Sequence, residues 1–307
     1  MADSLLTLTN LAKINSRDLA DVSISDLLQG SPLVAALPAM VASKGDSHKY
    51  YKETANSQAA FRAANAGKDY VASTDTEVTV NLKYLDASIK YDRAVANAYI
   101  YGPEALLALR AERALRDAFF TIEQQILSGT AADSDGFDGF PQSTFMDAAS
   151  DDMLIDAGGT TALTSIYGVV ASRDGANLLV GNGGVIDIGE TREEQTLDSS
   201  SKAYNSYVLP IEAWVGVTLG GKHSVARIAN IDDGSNKATD DLISSMLEQF
   251  PGGQWPSYLV MNPRSARQIQ QSRTSTSLTG VAPWPTESQG IPILVSNGLG
   301  VAEIQVT

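Results

Sequence analysis

The sequence predicts an α+β chain, and three observations carry that reading. Apolar residues recur at helical spacing from Leu107 to Ile126, while Thr76 to Tyr84 alternate strictly at the period of a strand. Short apolar runs ending with Tyr258–Met261 and Ile291–Val295 read as further strands, interspersed with helical segments and without an internal repeat. The length of 307 residues is enough for a sizeable core and suggests two domains.

Residues 1–45 read as an irregular arm. A weak amphipathic stretch, Leu5 to Ala12, is followed by apolar groups interrupted at Gly30, Pro32 and Pro38. This much Leu, Val and Ala requires burial, and the expectation is docking on another body such as a neighbouring chain. Residues 46–93 read as an extended two-stranded arm with a long tip. His48–Glu53 forms one strand; Val78, Val80, Leu82 and Tyr84 share one face of the other, with Thr79, Asn81 and Lys83 opposite. Seven acids balance seven bases in this stretch. An isolated strand pair is marginal in water, so it needs a surface to lie on.

Residues 94–135 are dominated by one long helix. Gly102-Pro103-Glu104 opens it with Pro at the first helical position and an acid in the first turn, and Gly129 ends it. Leu107, Ala111, Ala114, Leu115, Ala118, Phe119, Ile122 and Ile126 form its apolar face; Arg110, Glu112, Arg113, Arg116 and Glu123 are expected on the other. Its period suits a strut beneath a sheet better than a coiled coil.

The remainder, 136–307, follows a Gly/Asp-rich loop, Asp133 to Phe140. Two hairpins are expected: 165–171 with 177–180 around Asp174-Gly175, and 214–219 with 224–231 around Gly220-Gly221. A helix from Thr239 to Phe250 directs Leu242, Met246, Leu247 and Phe250 inward and stops at Pro251-Gly252-Gly253. Asn262-Pro263 caps and starts a second helix reaching Arg273. A Ser/Thr/Pro/Gly loop then spans 274–290.

Composition excludes several chemistries. There is no Cys, hence no disulfide, thiolate site or thiol nucleophile, and two His cannot build a three-histidine zinc site. Gly216 to Lys222 matches most of a phosphate-binding loop, but His223 replaces the hydroxyl residue and a strand follows where a helix is required. Gly181-Asn182-Gly183-Gly184 lacks the last Gly of a dinucleotide fingerprint. Asp133 to Gly139 is a poor calcium loop, because Phe137 and Asp138 occupy a ligand and the sharp-turn position. Glu190, Glu193 and Glu194 read as solvated carboxylates in a polar loop. No catalytic, cofactor or metal site is expected. The net charge of -14, without a Lys/Arg stripe, excludes a nucleic-acid reader. The start has no basic flank or apolar core, and the longest apolar stretch is about half a membrane span, so a soluble, non-exported protein is expected.

Taken in order, a docking arm, a two-stranded arm, a strut helix and an α+β body resemble the major capsid proteins of tailed bacteriophages. Phe61-Arg62-Ala63-Ala64-Asn65 falls within the extended loop of that family, and Gly102-Pro103 to Gly129 is similar to its spine helix, followed by Gly136-Phe137-Asp138-Gly139-Phe140. Val225–Ile231 is similar to a peripheral-domain strand; Leu259–Arg264 and Gly290–Ser296 are similar to paired late motifs. The likeness covers most of residues 20–300.

The resemblance implies the fold named after phage Hong Kong 97, with N-terminal arm, extended loop, spine helix, and peripheral and axial domains. It implies a structural coat protein, not an enzyme, that self-assembles into hexamers and pentamers of an icosahedral shell around double-stranded DNA. The implied partners are further copies of the chain, a separate scaffolding protein (there is no room for a scaffolding region of about a hundred residues; the alternative is a cleaved product whose Met1 is not native), a portal, a decoration protein, and DNA held without sequence-specific binding; no membrane is implied. The implied location is the virion, with assembly in the host cytoplasm. Candidate inter-subunit contacts are Tyr51, Phe61, Arg62, Lys68, Val78, Val80, Leu82 and Tyr84. Some relatives crosslink a loop Lys to a neighbour's Asn; Lys68 lies near the expected tip, but no matching Asn or Glu is evident. The alternatives are an encapsulin-like compartment or an enzyme with a site of unfamiliar pattern.

Overall fold

The computed structural model describes residues 29–56, 59–67, 70–276 and 280–307; the stretch Leu5 to Ala12 lies outside them. In chain order the elements are helix α1 (Pro32–Ala36), strands β1 (Ala39–Val41), β2 (Ser47–Asn56), β3 (Ser73–Asn81), β4 (Lys83–Asp86) and β5 (Ile89–Asp92), and helices α2 (Arg93–Asn97) and α3 (Pro103–Ser128). Strands β6 (Leu154–Asp156), β7 (Thr164–Val169), β8 (Ala176–Val180), β9 (Asp187–Ile188), β10 (Arg192–Leu197), β11 (Ala203–Leu209), β12 (Ile211–Leu219) and β13 (Val225–Ile231) follow. Helix α4 (Asp240–Glu248), strand β14 (Tyr258–Met261), helix α5 (Pro263–Thr276), and strands β15 (Glu287–Ser288) and β16 (Ile291–Val295) complete the chain.

The spine helix α3 begins and ends where its punctuation demands. Gly102 precedes it at φ 87°, Pro103 supplies the fixed first turn, and Gly129 leaves it at φ 57°. Leu106, Leu107, Ala118, Ile122, Ile126 and Leu127 are buried along its length. Glu123 corrects the sequence reading: it is fully buried rather than on the polar face. Its Oε2 accepts from the backbone N–H of Leu33 at 2.8 Å and of Val34 at 3.2 Å, and its Oε1 accepts from the Ser296 hydroxyl. The carboxylate thereby serves the otherwise unpartnered N–H groups at the start of α1. With Leu33 fully buried, α1 docks on its own spine helix, not on a neighbour as the sequence suggested.

Two sheets flank this core. One runs β1-β8-β12-β4, with β9 also paired to β12; the other runs β15-β16-β14-β7-β13-β6, and β10-β11-β5 form a third, smaller sheet. The first core cluster joins α3, the inner residues of β12 (Ala213, Val215, Val217) and the loop residues Phe137 and Phe140. The second lies between the six-stranded sheet and helices α4 and α5, around Ile228, Ile243, Met246, Leu259 and Ile269. Tyr167 ties the two regions, its hydroxyl donating to the Leu127 carbonyl at 3.0 Å.

Neither expected hairpin forms. β7 pairs with β13 and β14, whereas β8 pairs with β1 and β12, so the chain changes sheets at Asp174-Gly175 and changes back at Gly220-Gly221. The two corners pack together, Gly220 N–H donating to the Gly175 carbonyl at 3.0 Å. A Cβ at Gly220 would stand 2.1 Å from the Asp174 carbonyl oxygen, so the close approach requires Gly. The Glu190–Glu194 region is also corrected: Arg192–Leu197 is a strand, with β11 as its antiparallel partner. The matched run Val225–Ile231 is an interior strand of the six-stranded sheet. The turn after Lys222 leads into that strand rather than a helix, so the phosphate-loop spacing has no helix N-terminus to act with. Among the described residues no helix is long and apolar enough to cross a membrane.

Candidate assembly surface

Among the described residues, strands β2 and β3 pair only with each other, Ser47 opposite Asn81 through Asn56 opposite Ser73, with a register shift between Glu53 and Ala55. The free-standing pair ends there, because β4 and β5 join the body sheets through β12 and β11. Register determines its faces. His48 opposite Val80, Tyr50 opposite Val78 and Lys52 opposite Thr76 form the inner face. Tyr50 donates its hydroxyl to the Leu219 carbonyl at 2.8 Å, Lys52 Nζ stands 5.7 Å from the Phe145 ring, and Val78 and Val80 are half-buried. Burial pushes the Tyr50 phenol above its ordinary value. On the outer face Lys49 and Glu77 form an ion pair at 2.5 Å, diagonal across the register. That hydrogen bond raises the Lys49 ammonium and lowers the Glu77 carboxyl. Beside them Tyr51 is 76% exposed.

The tip is a built turn that none of the other described residues covers. Ala66 N–H donates to the Ala63 carbonyl at 3.2 Å, Arg62 Nη1 donates to the Ala66 carbonyl at 2.9 Å, and Asn65 takes the left-handed conformation at φ 66°. Residues 59–67 are all exposed, Phe61 fully so and Tyr70 at 94%. Large apolar groups set in solvent at the end of a projecting arm are the mark of a contact completed by another molecule.

The candidate contacts divide accordingly. Tyr51, Phe61 and Arg62 are exposed on the arm, Val78 and Val80 face the protein's own body, and Lys68 lies outside the described residues. Leu82 and Tyr84 do not continue the Val78/Val80 face. The pairing breaks at Leu82, which is buried within its own chain and so is not available to a neighbour; beyond it the phase inverts, so that Leu85 packs on the core and Tyr84 turns outward. Sequence reasoning missed Tyr70 and Val71, although an apolar pair near the end of a polar tip was visible in the sequence. It also missed Trp214, whose ring meets Tyr84 edge-on at 5.5 Å.

The family profile described as Major capsid protein GP7 matches residues 17–257. The chain belongs to that family. It is the coat protein of a phage shell, in a family of structural subunits, and a component of the virion. The likeness to solved structures establishes the Hong Kong 97-type fold. A structure of bacteriophage Epsilon15 superposes with a TM-score of 0.68 at 13% identity, over 100% of this chain and 97% of that one. The bacteriophage JBD30 capsid gives 0.52 at 10% identity, over 94% and 97%. The JBD30 capsid decorated with minor capsid protein trimers gives 0.50 at 13% identity, over 97% and 100%. No curated protein matches the sequence.

Proposed function

We propose that the coat protein tiles as hexamers and pentamers into an icosahedral shell around double-stranded DNA, each arm lying across a neighbouring subunit. The observation that supports this reading is the arm: a strand pair that joins none of the body's sheets, carrying Phe61, Arg62 and Tyr70 exposed at its end. Aromatic and Arg side chains are the residue types that dominate interface energies once desolvated. We assign the spine helix with the five- and three-stranded sheets to the peripheral domain, and the six-stranded sheet with α4 and α5 to the axial domain, which moves Val225–Ile231 out of the peripheral domain to which its resemblance pointed. An acidic chain of net charge -14 leaves packaged DNA free to slide, gripped neither by sequence nor by a basic groove. Assembly in the host cytoplasm with a separate scaffolding protein and a portal, and decoration of the finished shell, complete the reading.

Negative-stain microscopy of the expressed protein, alone and with its scaffolding partner, tests it. Wild type should give closed particles, and Phe61→Ser with Tyr70→Ser should give folded, unassembled subunits. A wild-type protein that stays monomeric under both conditions would overturn the proposal.

A further inference from the structure

The spine helix carries a short basic row in an acidic chain. Arg110, Arg113 and Arg116 recur every three residues and so lie along one side of α3, all of them half-buried. Arg110 stacks on the Tyr91 ring at 5.8 Å, and its Nε is buried without an acceptor among the described residues. Arg116 donates to Glu112 at 3.2 Å. Burial, and then the charges of Arg110 and Arg116, push the Arg113 guanidinium below its ordinary value. Guanidiniums crowded in this way favour a carboxylate brought in from elsewhere. The polypeptide already descends toward the row. Leu33 and Val34 donate their N–H groups to Glu123, and Gln29 Nε2 donates to Asp117 Oδ1 at 2.6 Å. From Leu33 back to Gln29 the chain has therefore passed from Glu123 to Asp117, about 9 Å of helix, in the direction of Pro103.

We propose that residues 18–28 continue along the subunit's own spine helix and set the Asp26 carboxylate against Arg113 and Arg110. The charges are complementary: Asp18, Asp21 and Asp26 lie in this segment, and no base does. Reach is matched too. Asp26 stands three residues before Gln29, up to about 10 Å of extended chain, while Arg113 and Arg110 stand about 6 and about 11 Å beyond Asp117 along the helix. Leu27 and Leu28 supply apolar partners for Leu109, which is half-buried on the same side of the helix. The occupant is the same chain for a geometric reason. Gln29 is already held on this helix, so its own segment meets the row at an effective concentration that a neighbour's segment or a DNA phosphate lacks. A row neutralised in this way adds no grip on DNA. The contact belongs to the single subunit and holds whether or not shells form.

The chain contains no cysteine, so introduced thiols react without background. Dissociated subunits carrying Asp26→Cys and Arg113→Cys, treated with a short bismaleimide linker, should give a product of one-chain mass whose peptide map joins the two positions. A product that joins two chains instead would place a neighbour's segment on the row and overturn the proposal. Limited proteolysis with thermolysin reads the unlinked chain, because cleavage follows the population in which the segment is released. Asp26→Ser and Arg113→Glu should each speed cleavage within residues 18–28 about tenfold or more, as loss of a charge-assisted hydrogen bond does. Asp26→Arg combined with Arg113→Glu should return cleavage to within a few-fold of wild type. Equal cleavage of wild type and Asp26→Ser overturns the proposal. So does a lack of recovery in the exchanged pair when circular dichroism reports folded subunits.

Discussion

Replacing Glu123 isolates the contact that ties the N-terminal segment to the spine helix. Glu123→Ala leaves the Leu33 and Val34 N–H groups and the Ser296 hydroxyl without their acceptor in a buried site. At about 1–3 kcal/mol for each stranded buried group, partly relieved by relaxation, the expected loss is about 3–5 kcal/mol. Glu123→Gln retains volume and an accepting oxygen and should cost about 1 kcal/mol. Urea unfolding of dissociated subunits, followed by circular dichroism, reads both; near ~2 °C per kcal/mol for a chain of this size, Ala should lower Tm by about 6–10 °C. The contact also has a pH signature. Burial pushes the Glu123 carboxyl above its ordinary value, so the folded state holds that proton more tightly than the unfolded chain does. The associated stabilisation is complete below the unfolded value and is lost as pH rises through the raised one. Wild type should therefore gain stability relative to Glu123→Gln as pH falls from ~7 toward ~4. If wild type instead lost ground over that interval, the carboxyl would be held as an anion and the assignment of burial as the dominant effect would be wrong.

Arg227 is nearly buried, donating to Glu303 at 2.9 Å and to Ser165 at 3.0 Å. Arg227→Ala should cost about 3–5 kcal/mol by stranding the Glu303 carboxylate, whereas Arg227→Met with Glu303→Leu should recover most of it, both measured by urea unfolding. A Cβ at Gly139 would stand 2.3 Å from the Gln125 carbonyl oxygen at the end of the spine helix, while one at Gly67 meets nothing within 4 Å. Gly139→Ala should lose at least about 2 kcal/mol and Gly67→Ala should leave Tm unchanged. Raising ionic strength from about 0.01 to 0.15 M shortens the screening length from about 30 to 8 Å, so shells should form at lower protein concentration by light scattering; inhibition by salt would contradict the electrostatic account.

The elements that were legible from sequence were those whose local chemistry specifies them completely. The spine helix was bounded correctly because Gly102-Pro103 and Gly129 mark its ends, and Tyr258–Met261 and Ile291–Val295 were read correctly as short buried runs between breakers. Partners were less legible. Asp174-Gly175 and Gly220-Gly221 encode changes of direction, and a change of direction is compatible with pairing back or with crossing to another sheet. Glu123 was misplaced because periodicity assigns a charged residue to solvent, whereas here backbone donors from a segment 90 residues away justify its burial. β10 was missed because its half-buried positions, Glu194 and Thr196, are polar, so Arg192–Leu197 shows no alternation of hydrophobicity. Of the candidate surface, exposure of Tyr51, Phe61 and Arg62 followed from a strand pair with a polar tip. The break at Leu82 did not, because alternation continues unchanged through it in sequence while the backbone resets.

Both legs of the arm enter the body at one point, where Leu82 N–H donates to the Asp46 carbonyl at 2.8 Å. That makes the arm a lever rooted on the middle of a sheet, and a swing about that root exchanges the hydrogen bond from Tyr50 to Leu219 and the approach of Lys52 to Phe145. With a length of roughly 30 Å, a swing of about 10° at the root carries the far end about 5 Å. Copies whose bodies are nearly superimposable can thus reach differently placed neighbours through a small pivot, which is the freedom that unequal positions around five- and six-membered rings demand of a single sequence.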